Sequence, residues 1–166
     1  MINSIKNAIL DKKDVLIRVD LNVPFENGKV SDFSRITAII PTLNWVLNKN
    51  GRPILLSHFG RPANRKDKEL SLKKLLPALI NALGMDILFC DLSSIEEINK
   101  FIKNTAHNIP ILLENSRFFE GEQTNDPALS SMLSKLGSVF CNDAFSASHR
   151  AHASTVGIAN NLPAYS

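Results

Sequence analysis

Glycine is scarce in this chain, with seven residues among 166. None of the seven falls into a GxxxxGK[ST] or GxGxxG arrangement, so neither of these backbone cradles for nucleotide phosphates is present. There is no GxSxG elbow and no reactive-cysteine setting, which argues against nucleophilic acyl chemistry. The two cysteines, Cys90 and Cys141, each close an apolar run. Without a CxxC pair or Cys/His ligand spacing they predict small buried thiols in a reduced protein and no metal site. One tryptophan and one tyrosine leave little capacity for stacking on bases. No apolar stretch approaches the roughly 18 residues of a membrane span. The opening MINSIKNAILDKKD carries acidic residues and lacks a secretory apolar core. These absences predict a cytoplasmic, soluble protein with no membrane partner. A net charge of +3 does not demand a general polyanion binder.

What is present is ordinary in bulk and patterned in detail. Hydrophobic residues make up 44% and charged residues 21%, and the length suits one domain with a real core. Residues Asp14–Asp20 read as a buried strand. Ser31-Asp32 then offers caps to a helix whose apolar positions Phe33, Ile36, Ile39, Ile40, Leu43 and Leu47 recur at helical spacing. Pro41 marks the first turn of that helix or a kink, and Asn50-Gly51 stops it. The strand Pro53–Ser57 follows, then a polar loop over Gly60–Glu69. A helix from Ser71 to Leu83 ends at Gly84, and Met85–Cys90 reads as the third strand. A further helix runs from Ser93 or Ser94 to about Asn104, and Ile109–Leu113 is the fourth strand. Asp126-Pro127 opens a helix to Leu136, and Ser138–Asn142 is the fifth strand. The tail from Ala153 to Asn160 reads as a short helix. Strands alternating with helices predict βαβ units. The fold class is therefore α/β, a Rossmann-like three-layer αβα arrangement with a mainly parallel sheet and helices on both faces.

The arginines follow this pattern. Four of the seven, Arg35, Arg61, Arg117 and Arg150, sit in the turns or helix starts that come after strand runs. Ligands of open parallel sheets bind beyond the carboxyl ends of the strands, so these guanidinium groups converge on one rim and suit a small, highly charged anion. Arg35 adds its fork to the backbone N–H groups of a first helical turn. Asp20 and Asn22 offer a carboxylate and an amide to hydroxyl groups at the first strand's exit. Arg18 lies inside that strand and reads as a structural ion-pair partner. Gly60 permits close backbone approach beside His58 and Arg61. Arg117 follows Glu114, with which it has an alternative pairing. Each of these groups also has a purely local reading as a turn or a solvated side chain.

The stretches RVDLNVP, SHFGRP, LLENSRF and NDAFSASHRAHAS resemble the amino-terminal domain of the phosphoglycerate kinase family, in the same order and spacing over essentially the whole chain. That resemblance implies transfer of a phosphoryl group between 1,3-bisphosphoglycerate and ADP, giving 3-phosphoglycerate and ATP. It implies that residues 1–166 are a single substrate-binding domain, inactive alone, and that Mg-ATP or ADP is held by a carboxy-terminal domain not included here. By motif position, Asp20 and Asn22 resemble residues at the substrate's hydroxyl and carboxyl end. His58, Arg61, Arg117 and Arg150 resemble the basic patch for its non-transferring phosphate. Arg35 resembles the catalytic arginine that reaches the transferring group. The expected partners are 3-phosphoglycerate or 1,3-bisphosphoglycerate, with no nucleic acid, no cofactor or metal held by this domain, and a monomeric state. Two departures from the family pattern are Ser146 after the NDAF stretch and Ser116 before Arg117. The competing reading is a non-catalytic basic module for phosphorylated metabolites or nucleic acid. A steep salt dependence of oligonucleotide binding would favour it.

Overall fold

The computed structural model describes residues 3–63, 67–91, 93–144 and 151–166. Its centre is β1 (Asp14–Val19), a continuous apolar run interrupted only by Arg18 and buried from Val15 onward. A strand covered on both faces needs such a run rather than an apolar–polar alternation. After β1 a two-stranded hairpin forms from β2 (Phe25–Glu26) and β3 (Lys29–Val30). There follow α1 (Ser34–Asn48), β4 (Arg52–Leu56), α2 (Leu76–Leu83), β5 (Leu88–Cys90), α3 (Ile95–Asn104) and β6 (Ile111–Leu113). The chain is completed by α4 (Pro127–Ser134), β7 (Val139–Asp143), a π-helical turn at Ala153–Gly157 and β8 (Ala164–Tyr165). The main sheet has six strands in the order β5-β6-β4-β1-β7-β8, and every neighbouring pair is parallel.

Successive residues of each strand point to opposite faces, and the core divides accordingly. Ile17, Val19, Leu55 and Cys141 pack with Ile36, Ile39, Leu43 and Val46 of α1 and Leu79 of α2. Leu16, Ile54, Leu56 and Phe140 pack with Ile98 and Ile102 of α3 and Leu129 and Leu133 of α4. This is the expected αβα sandwich. Both cysteines are free and buried, and burial beside Asp143 pushes the Cys141 thiol up to about 12. Among the described residues, no helix is long and apolar enough to cross a membrane.

Several local expectations change. The hairpin is an element the sequence reading did not include; its Asn27 and Gly28 have φ of 50° and 76°. That is the left-handed pair a two-residue hairpin turn requires. Helix α1 continues through Pro41 rather than starting there. The segment after Ser71 begins as a tight 3-10 turn, Leu72–Leu75, and becomes α-helical only at Leu76-Pro77. Strands β5 and β6 are shorter than expected, and β8 adds an edge beside β7 that the sequence reading did not include. Asp126 does cap α4, accepting the Leu129 N–H at 2.7 Å.

The topology places one point apart from the rest. From β1 the chain moves to β4 on one side, and after β6 it returns to β7 on the other. The carboxyl end of β1 is therefore where the winding changes direction, which is where open α/β sheets form a crevice.

Candidate functional site

Strand β1 delivers Asp20, Leu21 and Asn22 to that crevice. The segment after β1 is held by side chains rather than by the sheet ladder. The Ser57 hydroxyl accepts the Leu21 N–H at 3.0 Å, and Asp20 Oδ1 accepts the Asn22 N–H at 3.0 Å. The same Oδ1 accepts from Arg35 Nη1 at 3.0 Å, and this nitrogen also reaches the Asn22 carbonyl at 2.9 Å. Arg35 is thus anchored through one nitrogen while its side chain remains 44% exposed. It stands in the first turn of α1, whose entry is fixed by Asp32 Oδ1 accepting the Ser34 N–H at 2.8 Å.

The loop after β4 joins this segment directly. Gly60 N–H donates to Asn22 Oδ1 at 2.9 Å, and the Gly60 carbonyl accepts from Arg117 Nη1 at 2.6 Å. One left-handed glycine, φ 59°, therefore links β1, β4 and β6. Arg117 does not take the alternative pairing with Glu114. The Glu114 carboxylate instead accepts the Ser71 hydroxyl at 2.6 Å and the N–H groups of Leu72 at 2.9 Å and Asn115 at 2.7 Å. Fully buried Asn115 ties the loops together. Its Oδ1 accepts from the N–H groups of Phe59 and Arg117, and its Nδ2 donates to the carbonyls of Phe59 and Leu70.

Arg18 is fully buried behind these loops. Its Nη2 meets His58 Nδ1 at 2.9 Å, its Nε donates to the Ser154 hydroxyl at 3.1 Å, and its Nη1 donates to the Val19 carbonyl. Burial lowers its pKa, opposed by the charges of Glu122 and Asp20. The expectation of a structural ion-pair partner thus needs refinement. These three bonds go to a hydroxyl, a carbonyl and an imidazole, and the carboxylates act through charge. Burial first, then Arg18 and Arg117, push the His58 pKa from 6.5 down to about 3. A neutral imidazole held among cations marks positive potential at this crevice, where an anion is favoured.

Asp20, Asn22, Arg35 and Arg117 accordingly form one bonded cluster with Gly60, and the His58 ring bonds Arg18 behind it. Arg61, next to Gly60, is exposed. Arg150 and the Ser146 departure lie outside the described residues. Ser116 is buried at the start of a short 3-10 turn. His152 is 9% exposed and close enough to lower the His58 pKa further. Sequence reasoning missed Asn115, Glu122 and Ser154 as parts of this network. Asn115 had a signal in its place at a strand exit. The other two had none, because their burial arises only in the tertiary structure. Among the described residues there is no group of three or more His, Cys, Asp or Glu that could hold a metal ion.

Comparison with known proteins agrees over nearly the full length. A family model, phosphoglycerate kinase, matches residues 5–166. The phosphoglycerate kinase of Roseobacter denitrificans is 52% identical over 151 residues, covering 91% of this chain and 37% of that protein. The one from Xanthobacter autotrophicus is 46% identical over 162 residues, covering 98% and 41%. The solved phosphoglycerate kinase from Coxiella burnetii superposes with a TM-score of 0.86 at 34% identity, covering 99% of this chain and 41% of that one. The Pyrococcus horikoshii enzyme gives 0.86 at 26% identity, covering 98% and 42%. This chain spans about two fifths of the length of these relatives.

Proposed function

The chain belongs to the phosphoglycerate kinase family, and we propose that residues 1–166 are the substrate domain of such an enzyme, holding 3-phosphoglycerate or 1,3-bisphosphoglycerate at the carboxyl end of β1. Asp20 and Asn22 take the hydroxyl and carboxyl end of the ligand. His58, Arg61, Arg117 and Arg150 take the phosphate that stays, and Arg35 reaches the phosphoryl group that moves. We assign the nucleotide and its Mg²⁺ to the remainder of the family's length, which supplies the phosphoryl donor or acceptor.

The carrying observation is the Arg35–Asp20, Asn22–Gly60–Arg117 and Arg18–His58 contact set, which brings Arg35 of α1, Arg117 after β6 and buried Arg18 of β1 toward the carboxyl end of β1. The chemistry suits it. The carboxylate of 3-phosphoglycerate is ionised at neutral pH, so its attack on a phosphoryl group requires no general base. His58, neutral down to about pH 3, serves as a hydrogen-bond donor rather than a proton carrier. What remains for the protein is positioning and charge stabilisation. The exposed fork of Arg35 suits that task, because one nitrogen fixes its place and the others are chemically able to donate.

Calorimetric titration with 3-phosphoglycerate tests this reading. A charge-assisted hydrogen bond is worth about 1.5–3 kcal/mol, so Arg61→Ala and Arg150→Ala are each expected to weaken binding by about tenfold or more. Unchanged affinity in both variants overturns the site. The 166-residue chain is also expected to show no ATP turnover alone, and robust turnover contradicts its assignment as the substrate half.

A further inference from the structure

Glu122 is 1% exposed and carries a carboxylate that the reading above does not use. Buried carboxylates are rare unless their oxygens are occupied, and these are aimed at a single residue. Oε2 accepts the Ser154 N–H at 2.9 Å, and Oε1 accepts the Ser154 hydroxyl. The Glu122 carbonyl also accepts the Ala153 N–H at 2.9 Å. The acidic residue therefore grips the start of the π-helical turn Ala153–Gly157.

The hydrogens in this chain of contacts can run in only one direction. A serine hydroxyl has one hydrogen. Ser154 gives it to Glu122, so toward Arg18 its oxygen is an acceptor, and Arg18 Nε donates to it at 3.1 Å. A guanidinium has only donors. Its Nη2 contact with His58 Nδ1 at 2.9 Å therefore makes Nδ1 the acceptor. A neutral imidazole whose Nδ1 accepts carries its proton on Nε2. Arg18 and Ser154 have zero exposure, so little water is at hand to replace either partner.

We propose that Glu122 and Ser154 are positioning residues: through Arg18 they lock the tautomer and ring orientation of His58, so that Nε2–H is the donor available to a phosphate oxygen. The opposite tautomer would offer a lone pair to an anion. Four segments distant in sequence, at residues 18, 58, 122 and 154, are needed to specify one proton. The identity of the anion rests on the substrate-domain reading above, whereas the tautomer does not.

Long-range ¹H–¹⁵N correlation of the histidine rings at pH 7 tests the lock, alongside 3-phosphoglycerate titration. The wild-type chain is expected to show His58 as a single Nε2–H tautomer. In Ser154→Ala, Arg18 Nε loses its acceptor. The His58 pattern should move toward mixed tautomers, and affinity should fall about threefold to tenfold, the range one hydrogen bond supports. Ser154→Cys, which keeps the side-chain shape with a slightly larger and weaker acceptor, should be intermediate. A merely structural role predicts an unchanged ring pattern in both variants. Trp45 emission reports whether each variant is folded, and Ser154→Cys carries the test if Ser154→Ala is not. An Nδ1–H wild type, or an unshifted Nε2–H pattern in every folded Ser154 variant, overturns the proposal. A wild type that shows the lock but no affinity for 3-phosphoglycerate overturns the ligand assignment alone.

Discussion

Acid should unfold this protein partly through one imidazole, and the size of the effect follows from the structure. His58 binds a proton at about 3 in the folded chain against 6.5 as the ordinary value. A depressed pKa contributes stability that is present above 6.5 and is lost as pH falls toward 3. At pH 4 the unfolded chain has taken up the proton and the folded chain has not, so the loss is about 3 kcal/mol at 1.36 kcal/mol per pH unit below 6.5. That is large beside the roughly 5–15 kcal/mol that holds a domain together. The informative perturbation is His58→Asn, because an amide oxygen still accepts from Arg18 but does not titrate. Carboxylates protonate in both proteins and largely cancel in the comparison. Urea melts between pH 7 and pH 4 can be followed by Trp45, the only tryptophan, which lies in α1 with the Lys49 ammonium 5.1 Å from its ring centre. The wild type is expected to lose about 3 kcal/mol more than His58→Asn over that interval. Parallel losses, within about 1 kcal/mol, would refute the argument: His58 would then not be held neutral by burial beside Arg18 and Arg117.

Gly60→Ala should damage both stability and the site. At φ 59° an added Cβ lies 2.6 Å from Leu70 Cδ2, and the left-handed conformation alone costs about 1–2 kcal/mol. Urea melts and 3-phosphoglycerate titration should both show a loss, and no change in either would mean that this turn does not hold the crevice together. Asp143→Asn should act in the opposite sense on stability. Burial raises the Asp143 pKa above 3.8, and among the described residues its Oδ2 has no hydrogen-bond partner. A raised carboxyl pKa contributes stability below 3.8 that is lost as pH rises through the folded value. The amide, which carries no charge to desolvate, should therefore melt higher than wild type at pH 7, with the advantage shrinking toward pH 3. A lower Tm at pH 7 counts against this.

The sheet was legible because its central strands are buried on both faces. Runs such as Val15–Val19 and Ile54–Leu56 have no other economical place in a chain of this size. The helices were legible where apolar spacing and a cap agreed, as at Asp126-Pro127. Short elements failed for a physical reason: β8 has two residues, too few to show a period, and its strand character comes from lying along β7. The hairpin was an avoidable miss, since Asn27-Gly28 is a strong turn signal. Around Pro77, tertiary packing of Leu72 and Leu75 stabilises a 3-10 turn that spacing alone does not separate from an α-helix. That Asp20, Asn22, His58 and Arg117 gather at one end of the sheet was foreseeable, because strand exits are where side chains leave it. Arg18 was only half understood. Its position inside a strand announced burial, but its partner Ser154 stands 136 residues away.

That separation bears on how the crevice stays attractive to anions. In the cluster and the network behind it, Arg18, Arg35 and Arg117 carry positive charge and Asp20, Glu114 and Glu122 carry negative charge, while His58 carries none. Three carboxylates against three guanidinium groups balance, and Arg61 adds a cation at the exposed edge. The placement matters more than the sum. Glu122 offsets Arg18 from behind, through Ser154, where a ligand cannot reach it. Asp20 is buried and accepts from Arg35 through Nη1 alone among the described contacts. A buried guanidinium left uncompensated would be costly, and one compensated by a carboxylate at the mouth would repel a phosphate. Glu122 supplies the larger part of the counter-charge from the interior, away from a ligand, and Asp20 supplies the smaller part at the crevice, where it is itself bonded to Arg35.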